Sequence, residues 1–377
     1  MLIAFVLCFT MPILALVFWN RVGHSASRWA PWRRWTLRGI LVFGSQLTAV
    51  ALVAVLVNDS GRFYSSWLEL LGEKHSVTHT AQLPGNQDQI LQRQLAAARG
   101  KGVLTKVTIP GIRSGIGNVS ALVYVPMQYG MPSYQQRSFP VVELIAGSPG
   151  TPQTWTDSLH VAQILDAEIA AGRSEPFIAV MPSQDVAGPR DTQCVNVVGG
   201  PAVDTYLTTD VRTAITHAFR ATTNRAGWSL MGYSSGGFCA TNLAMRHPDV
   251  FSSAVSIAGT AKPAHDHQTG DLFGHNVALQ NENTPIWRAE HLPPPNIALL
   301  LMSSSEDPAT RRDAQLMASA AKSPLSVTLI SLSHGGHNFE VWQAEEPVAF
   351  AWISAHLIPP LAPPPVIDHI APVQVTS

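Results

Sequence analysis

The sequence predicts an α/β fold: a mostly parallel sheet with helices on both faces, preceded by two transmembrane helices. Three observations carry that expectation. From residue 103 onward, short apolar runs alternate with segments of helical spacing, the rhythm of a parallel sheet buried on both sides. Within that rhythm, Gly232-Tyr233-Ser234-Ser235-Gly236 stands between an apolar run and a helical run, the strand–turn–helix context of a G-x-S-x-G serine. Ahead of it, residues 1–19 and 40–57 form two apolar runs without a charged side chain, each near the length that crosses bilayer hydrocarbon as a helix.

Between the two runs lie Arg21, Arg28, Arg33, Arg34 and Arg38 with no acid, beside Trp29, Trp32 and Trp35. Basic loops collect on the cytoplasmic side and tryptophans at the membrane interface. The loop is therefore expected inside the cell, and everything after Asn58 outside. A cleavable signal peptide is the rival reading, but the second run is long for one and ends without a small-x-small site. The 13% charged fraction suits a chain partly in lipid, and the net charge of −1 offers no basic excess for nucleic acid.

Residues 62–71 suggest a short amphipathic helix, and the polar, Gln-rich segment 73–102 a linker with a helix at 89–98. Alternation then predicts two strands, 103–110 and 119–126, joined by a glycine-rich hairpin turn. Strands follow at 139–145, 177–181, 228–231, 253–257, 297–302 and 327–330, with helices at 156–171, 206–221, 237–247, 309–321 and 348–356. Residues 261–295, rich in His, Asn, Gly and Pro, break this rhythm and read as an inserted lid. The expected organisation is an anchor at 1–58, a linker at 59–102, a catalytic domain at 103–358 and a proline-rich tail at 359–377.

A serine hydroxyl needs a base within hydrogen-bond reach, and the base needs an orienting acid. The order Ser, acid, His is present: Ser234, then Glu306-Asp307 after the strand 297–302, then His334 and His337 after the strand 327–330. His337, beyond the Gly335-Gly336 turn, is preferred as base over His334. Asp307 is preferred as acid over Glu306, although either carboxylate also suits the N-cap of the helix that follows. The negative charge developing on a substrate oxygen requires N–H donors. The Ser235 amide and the Ser148 amide, ahead of a Pro149 that has none, are the candidates. Cys194 and Cys239 in the exported part are candidates for a disulfide, with two unrelated buried thiols as the alternative. Cys8 lies in the first apolar run. His265, Asp266, His267, Asp271 and His275 have a metal-like composition, but their spacing matches no tetrahedral site; neither a metal nor a cofactor is expected.

The pieces PVVELIAGSPG, IAVMP followed by a loop with Asp191 and Cys194, TYLTTDV, GYSSGGFCATNLAMRHPDVF and GGHNFEVW together resemble the putative-esterase family of α/β-hydrolases. That family includes S-formylglutathione hydrolases (esterase D) and the antigen 85 mycolyltransferases. The resemblance spans residues 103–357. It implies the α/β-hydrolase fold, a triad of Ser234, Asp307 and His337, and an oxyanion donor at Ser148. Where the mycolyltransferases carry an arginine in the oxyanion loop, this chain has Ser148-Pro149-Gly150, and their aromatic Phe-Tyr-Ser-Asp-Trp segment is replaced by residues 184–190. The expected activity is a membrane-anchored, extracytoplasmic serine esterase acting on small-molecule or lipid esters. The alternatives are an acyltransferase moving an acyl group to a sugar hydroxyl and a non-catalytic envelope binding or scaffold protein.

Overall fold

The computed structural model describes residues 2–24, 31–61, 80–81, 87–186, 188 and 190–362. The chain divides into two compact units, Met1–Lys74 and His75–Ser377.

The first unit contains two helices, Leu2–His24 and Pro31–Gly61. The two apolar runs are not equivalent. Among the described residues, one stretch, Trp35–Leu56, is long and apolar enough to cross a membrane, with a mean hydropathy of 2.2, while Thr10–Trp19 is a shorter apolar segment. Trp32, Trp35, Arg33, Arg34 and Arg38 sit on the second helix rather than in a loop, and the Arg38 guanidinium lies 4.6 Å from the centroid of the Trp19 ring. The expected helix at 62–71 falls outside the described residues, as does most of the proline-rich tail.

In the second unit, nine strands form one sheet: β1 (Thr80–Ala81), β2 (Val103–Gly111), β3 (Gly117–Val125), β4 (Val141–Ile145), β5 (Ile178–Pro182), β6 (Trp228–Tyr233), β7 (Ser253–Ile257), β8 (Ala298–Ser304) and β9 (Ser326–Leu332). Their order is β1-β2-β3-β5-β4-β6-β7-β8-β9. The hairpin partners β2 and β3 are antiparallel, β3 meets β5 antiparallel, and β5 through β9 run parallel. The alternating apolar residues of these strands feed two cores. Val141, Ile145 and Leu230 face one, covered by Leu91, Tyr206, Leu243 and Met317; Val142, Leu144 and Met231 face the other, covered by Trp155, Leu165, Trp342 and Phe350.

Several elements differ from the expectations. The helix expected at 89–98 is present as Gln87–Ala97, but it buries Leu91 and Leu95 in the first core, and β1 pairs with β2. The C-terminal part of the supposed linker is thus held by burial of apolar surface. The single helix expected at 156–171 is two, Pro152–Asp157 and Val161–Ala170. Thr151 and Thr154 form a capping box that starts the first early, and His160 at φ 55° interrupts the pair. The closing helix is Phe339–His356, beginning well before the expected 348 because Asn338 caps it and Pro347 is accommodated inside. Its buried Phe339, Trp342, Phe350 and Ile353 outweigh the backbone bond that the proline removes.

Cys194 and Cys239 are joined as a disulfide across 45 residues of sequence. It ties the loop after β5 to the helix Ser235–Arg246. Replacing both cysteines by serine is expected to cost about 2–5 kcal/mol of stability. A urea midpoint unchanged under non-reducing conditions would contradict that.

Candidate active site

Going from β4 to β5 the chain moves to one side, and from β5 it returns past β4 to β6 on the other. In open α/β sheets, ligands gather at the carboxyl ends of the strands where such a reversal occurs. At that crevice β4 is followed by Ala146-Gly147-Ser148 and β6 by Ser234.

Ser234 has φ 55° and ψ −125°, a sparsely populated conformation for a residue with a Cβ. The neighbours enforce it. Ser234 N–H donates to the Ile257 carbonyl at 2.9 Å, and its own carbonyl accepts from Gly237 and Phe238 N–H at 2.9 and 3.2 Å. A Cβ at Gly232 would overlap the Gly236 carbonyl, and one at Gly236 would overlap the Ile145 carbonyl. Both flanking glycines are therefore required by close backbone approach.

The Ser234 hydroxyl lies 2.8 Å from His337 Nε2, and His337 Nδ1 lies 2.7 Å from Asp307 Oδ2. A carboxylate can only accept, so Nδ1 carries the hydrogen and Nε2 is left to accept from Ser234. Asp307 is 9% exposed, and the Trp342 ring stands edge-on to the imidazole with centroids 5.0 Å apart. Asp307 also caps the helix Pro308–Ala320: Oδ1 accepts from Thr310 N–H at 3.4 Å. One oxygen of Asp307 thus meets the imidazole and the other the helix N-terminus. Glu306 faces elsewhere, its Oε2 accepting from Gly335 N–H at 3.2 Å. Ser304 and Ser305 hydroxyls donate to the carbonyls of Gly335 and Ser333, so three consecutive residues, from the last of β8 onward, hold the histidine loop. His334 is exposed. If Glu306 only fixes the loop, Glu306→Gln, which can still accept from Gly335, should lower turnover less than about tenfold; a larger loss in steady-state kinetics would give it a closer role.

The two candidate oxyanion donors meet differently. Ser148 N–H donates to Ser235 Oγ at 2.7 Å, so its amide is engaged by the side chain of the other donor's residue. Sequence reasoning missed what stands behind them. Ser148 Oγ donates to Asp185 Oδ2 at 3.4 Å. Asp191 accepts from the Gln193 backbone N–H at 2.9 Å and from its side-chain amide. Two acids in a polar loop carry no signal in one dimension; only the end of β5 brings them to Ser148 and Ser235. Burial pushes the Asp185 carboxyl up to about 7, helped by the nearby Asp191 charge and opposed by the Ser148 hydroxyl. Burial also raises Asp191, against the bonds from Gln193.

A carboxyl that holds its proton more tightly when folded favours folding below its ordinary pKa of 3.8, and that contribution is lost as pH rises through the folded value. Asp185→Asn should therefore raise Tm at pH 8, with the gap closing as pH falls from about 7 toward 4. A difference independent of pH in thermal melts would refute the assignment.

The segment 261–295, expected as a lid, carries two short helices, Val277–Glu282 and Pro285–His291. Asn283 fastens it to the helix Ser235–Arg246, its Oδ1 accepting from Arg246 at 2.8 Å and from Asn242 at 3.2 Å. Among the described residues, no group of three or more His, Cys, Asp and Glu is placed to hold a metal ion. His265 instead meets Gln280 at 2.9 Å, and His275 lies 3.3 Å from Asp271.

Comparison with known proteins agrees with this architecture. An uncharacterised protein of Corynebacterium glutamicum is 29% identical over 273 residues, covering 68% of this chain; the chain spans 62% of that relative's length. Among solved structures, a ferulic acid esterase superposes with a TM-score of 0.57 at 18% identity, over 68% of this chain and 99% of its own. S-formylglutathione hydrolase from Agrobacterium tumefaciens gives 0.56 at 17% identity, over 69% and 97%. The fluorophosphonate-binding serine hydrolase F of Staphylococcus aureus gives 0.55 at 16%, over 68% and 99%. These likenesses establish the fold. The family model described as Putative esterase matches residues 117–355, more than half of the 377, and with a sheet and crevice of this form the chain belongs to that esterase family of α/β-hydrolases.

Proposed function

We propose that the protein is a membrane-anchored serine esterase that cleaves carboxylic esters through an acyl-enzyme. The observation that carries this reading is the unbroken contact from Asp307 through His337 to Ser234, at 2.7 and 2.8 Å. Ser234 Oγ attacks the ester carbonyl while His337 Nε2 takes its proton, and Asp307 holds the imidazole and balances its positive charge. The tetrahedral oxyanion takes hydrogen bonds from the Ser148 and Ser235 amides. His337 then returns the proton to the departing alcohol, leaving the acyl group on Ser234. Water, deprotonated by the same imidazole, releases the acid. No cofactor takes part in these steps.

Deacylation by water or by another hydroxyl uses the same groups, so the acyltransferase alternative differs only in the acceptor. An ester panel of graded chain length, run with and without a polyol such as trehalose, tests both. Free acid as the dominant product in each case supports the esterase; acylated polyol replacing it supports the transferase.

The catalytic domain, residues 103–358 with the lid at 261–295, is read as extracytoplasmic. Trp35–Leu56 supplies the span, and Arg33, Arg34 and Arg38 mark its start as the cytoplasmic end; the second span expected over residues 1–19 belongs to the same proposal. Alkaline carbonate should leave the protein in the membrane pellet, and protease outside intact spheroplasts should digest the catalytic domain. Release by carbonate would refute the anchor, and protection would refute its sidedness.

A further inference from the structure

The amide assigned to the oxyanion at Ser148 already has an occupant. Its N–H points at Ser235 Oγ, 2.7 Å away. Ser235 opens the helix Ser235–Arg246 directly after the nucleophile. Ser235 Oγ is three bonds from its own backbone nitrogen and stays within about 4 Å of it in any staggered rotamer. The hydroxyl oxygen therefore bonds one of the two amides that the reaction needs and lies beside the other, where the carbonyl oxygen of a bound ester would lie.

The far side of this hydroxyl is also furnished. It interacts with the Asp191 carboxylate, which is buried and held from behind by the Gln193 backbone N–H at 2.9 Å. The next residue after Gln193 is Cys194, whose disulfide to Cys239 fastens this loop to the helix that carries Ser235. Acceptor and hydroxyl are thus mounted on one cross-linked piece. The hydroxyl accepts from Ser148 N–H on one side and stands beside the Asp191 carboxylate on the other.

Resting on the esterase reading above, we infer that Ser235 is a positioning residue whose hydroxyl occupies the oxyanion hole at rest and is displaced by the substrate carbonyl. Displacement is a rotation about the Ser235 Cα–Cβ bond. It breaks the bond from Ser148 N–H, which the carbonyl oxygen then takes over, and weakens the interaction with Asp191. No covalent bond changes. Because the hydroxyl is already out when the ester is bound, its removal is charged equally to the Michaelis complex and the transition state. A term common to both states alters KM and leaves kcat alone.

Ser235→Ala is accordingly expected to lower KM for a short-chain ester about three- to tenfold with kcat unchanged, the worth of one neutral hydrogen bond. Ser235→Thr, which keeps the hydroxyl, should restore the wild-type KM. Asp191→Asn keeps the hydroxyl but weakens its acceptor, and should shift KM the same way by a smaller factor. Matching thermal melts show that each variant is folded. An unchanged or raised KM in Ser235→Ala, or a lowered kcat, overturns the inference; the lowered kcat would make the hydroxyl a third oxyanion donor. Fluorophosphonate labelling of the wild type at Ser234 separates the two levels. If the wild type does not label, the esterase reading fails; if it labels and Ser235→Ala keeps the same KM, only the inference about Ser235 fails.

Discussion

Ser234→Ala should lower ester turnover by about 10⁴- to 10⁶-fold, because a nucleophile and its base act as one unit and removing either forfeits nearly the whole of covalent catalysis. The change deletes one oxygen from a half-buried site and leaves the backbone at φ 55° as it was, so the fold should persist. Its Tm should stay within a few degrees of wild type. The same variant should lose fluorophosphonate labelling altogether. Residual turnover above the uncatalysed rate is expected, because the Ser148 and Ser235 amides still polarise a bound carbonyl. Turnover within tenfold of wild type, measured on enzyme free of contaminating esterase, would place the nucleophile elsewhere.

The second large effect belongs to Asp307→Asn, expected to reduce kcat by about 10⁴-fold. The asparagine keeps the size of the side chain and presents either an oxygen or an NH₂ group to His337 Nδ1. If it presents the NH₂, the imidazole must accept at Nδ1, and the hydrogen moves to Nε2, where it faces Ser234 and cannot take its proton. If it presents the oxygen, the positive charge formed on the imidazole has lost the carboxylate 2.7 Å away. The helix Pro308–Ala320 keeps an acceptor for Thr310 N–H in the former orientation only, because the second oxygen of Asp307 serves that N–H, so a modest loss of stability is expected beside the loss of rate whenever the oxygen faces the imidazole. Glu306→Gln is the internal control, since its carboxylate meets a backbone N–H and not the imidazole. Equal losses in the two variants would show that neither carboxylate is the orienting acid.

Much of this was legible in one dimension, and the reasons are local. Gly232 and Gly236 advertise a turn because close backbone approach excludes any Cβ there. The apolar runs of the central strands advertise burial on both faces, and β4 through β8 are buried almost throughout. Boundaries were less legible. Pro347 reads as a helix break in sequence, yet the helix Phe339–His356 runs through it, because the two large aromatics before it and the apolar residues after it share one buried face. The helix Gln87–Ala97 was expected at 89–98 inside a linker; what the polar, glutamine-rich segment hid is its attachment, since two buried leucines on one face suffice once a core is there to receive them.

By itself, the sequence determined the kind of sheet, the position of the elbow serine, and the order of serine, acid and histidine along the chain. These depend on periodicity, glycine sterics and the strand ends that follow from them. Only the tertiary structure decided which of two adjacent carboxylates faces the imidazole, that the acids of the loop after β5 stand behind Ser148 and Ser235, and that the Ser148 amide is filled by a neighbouring hydroxyl. Such pairings join residues 30, 37 and 87 positions apart. They are set by how strands stack side by side, which no local pattern encodes.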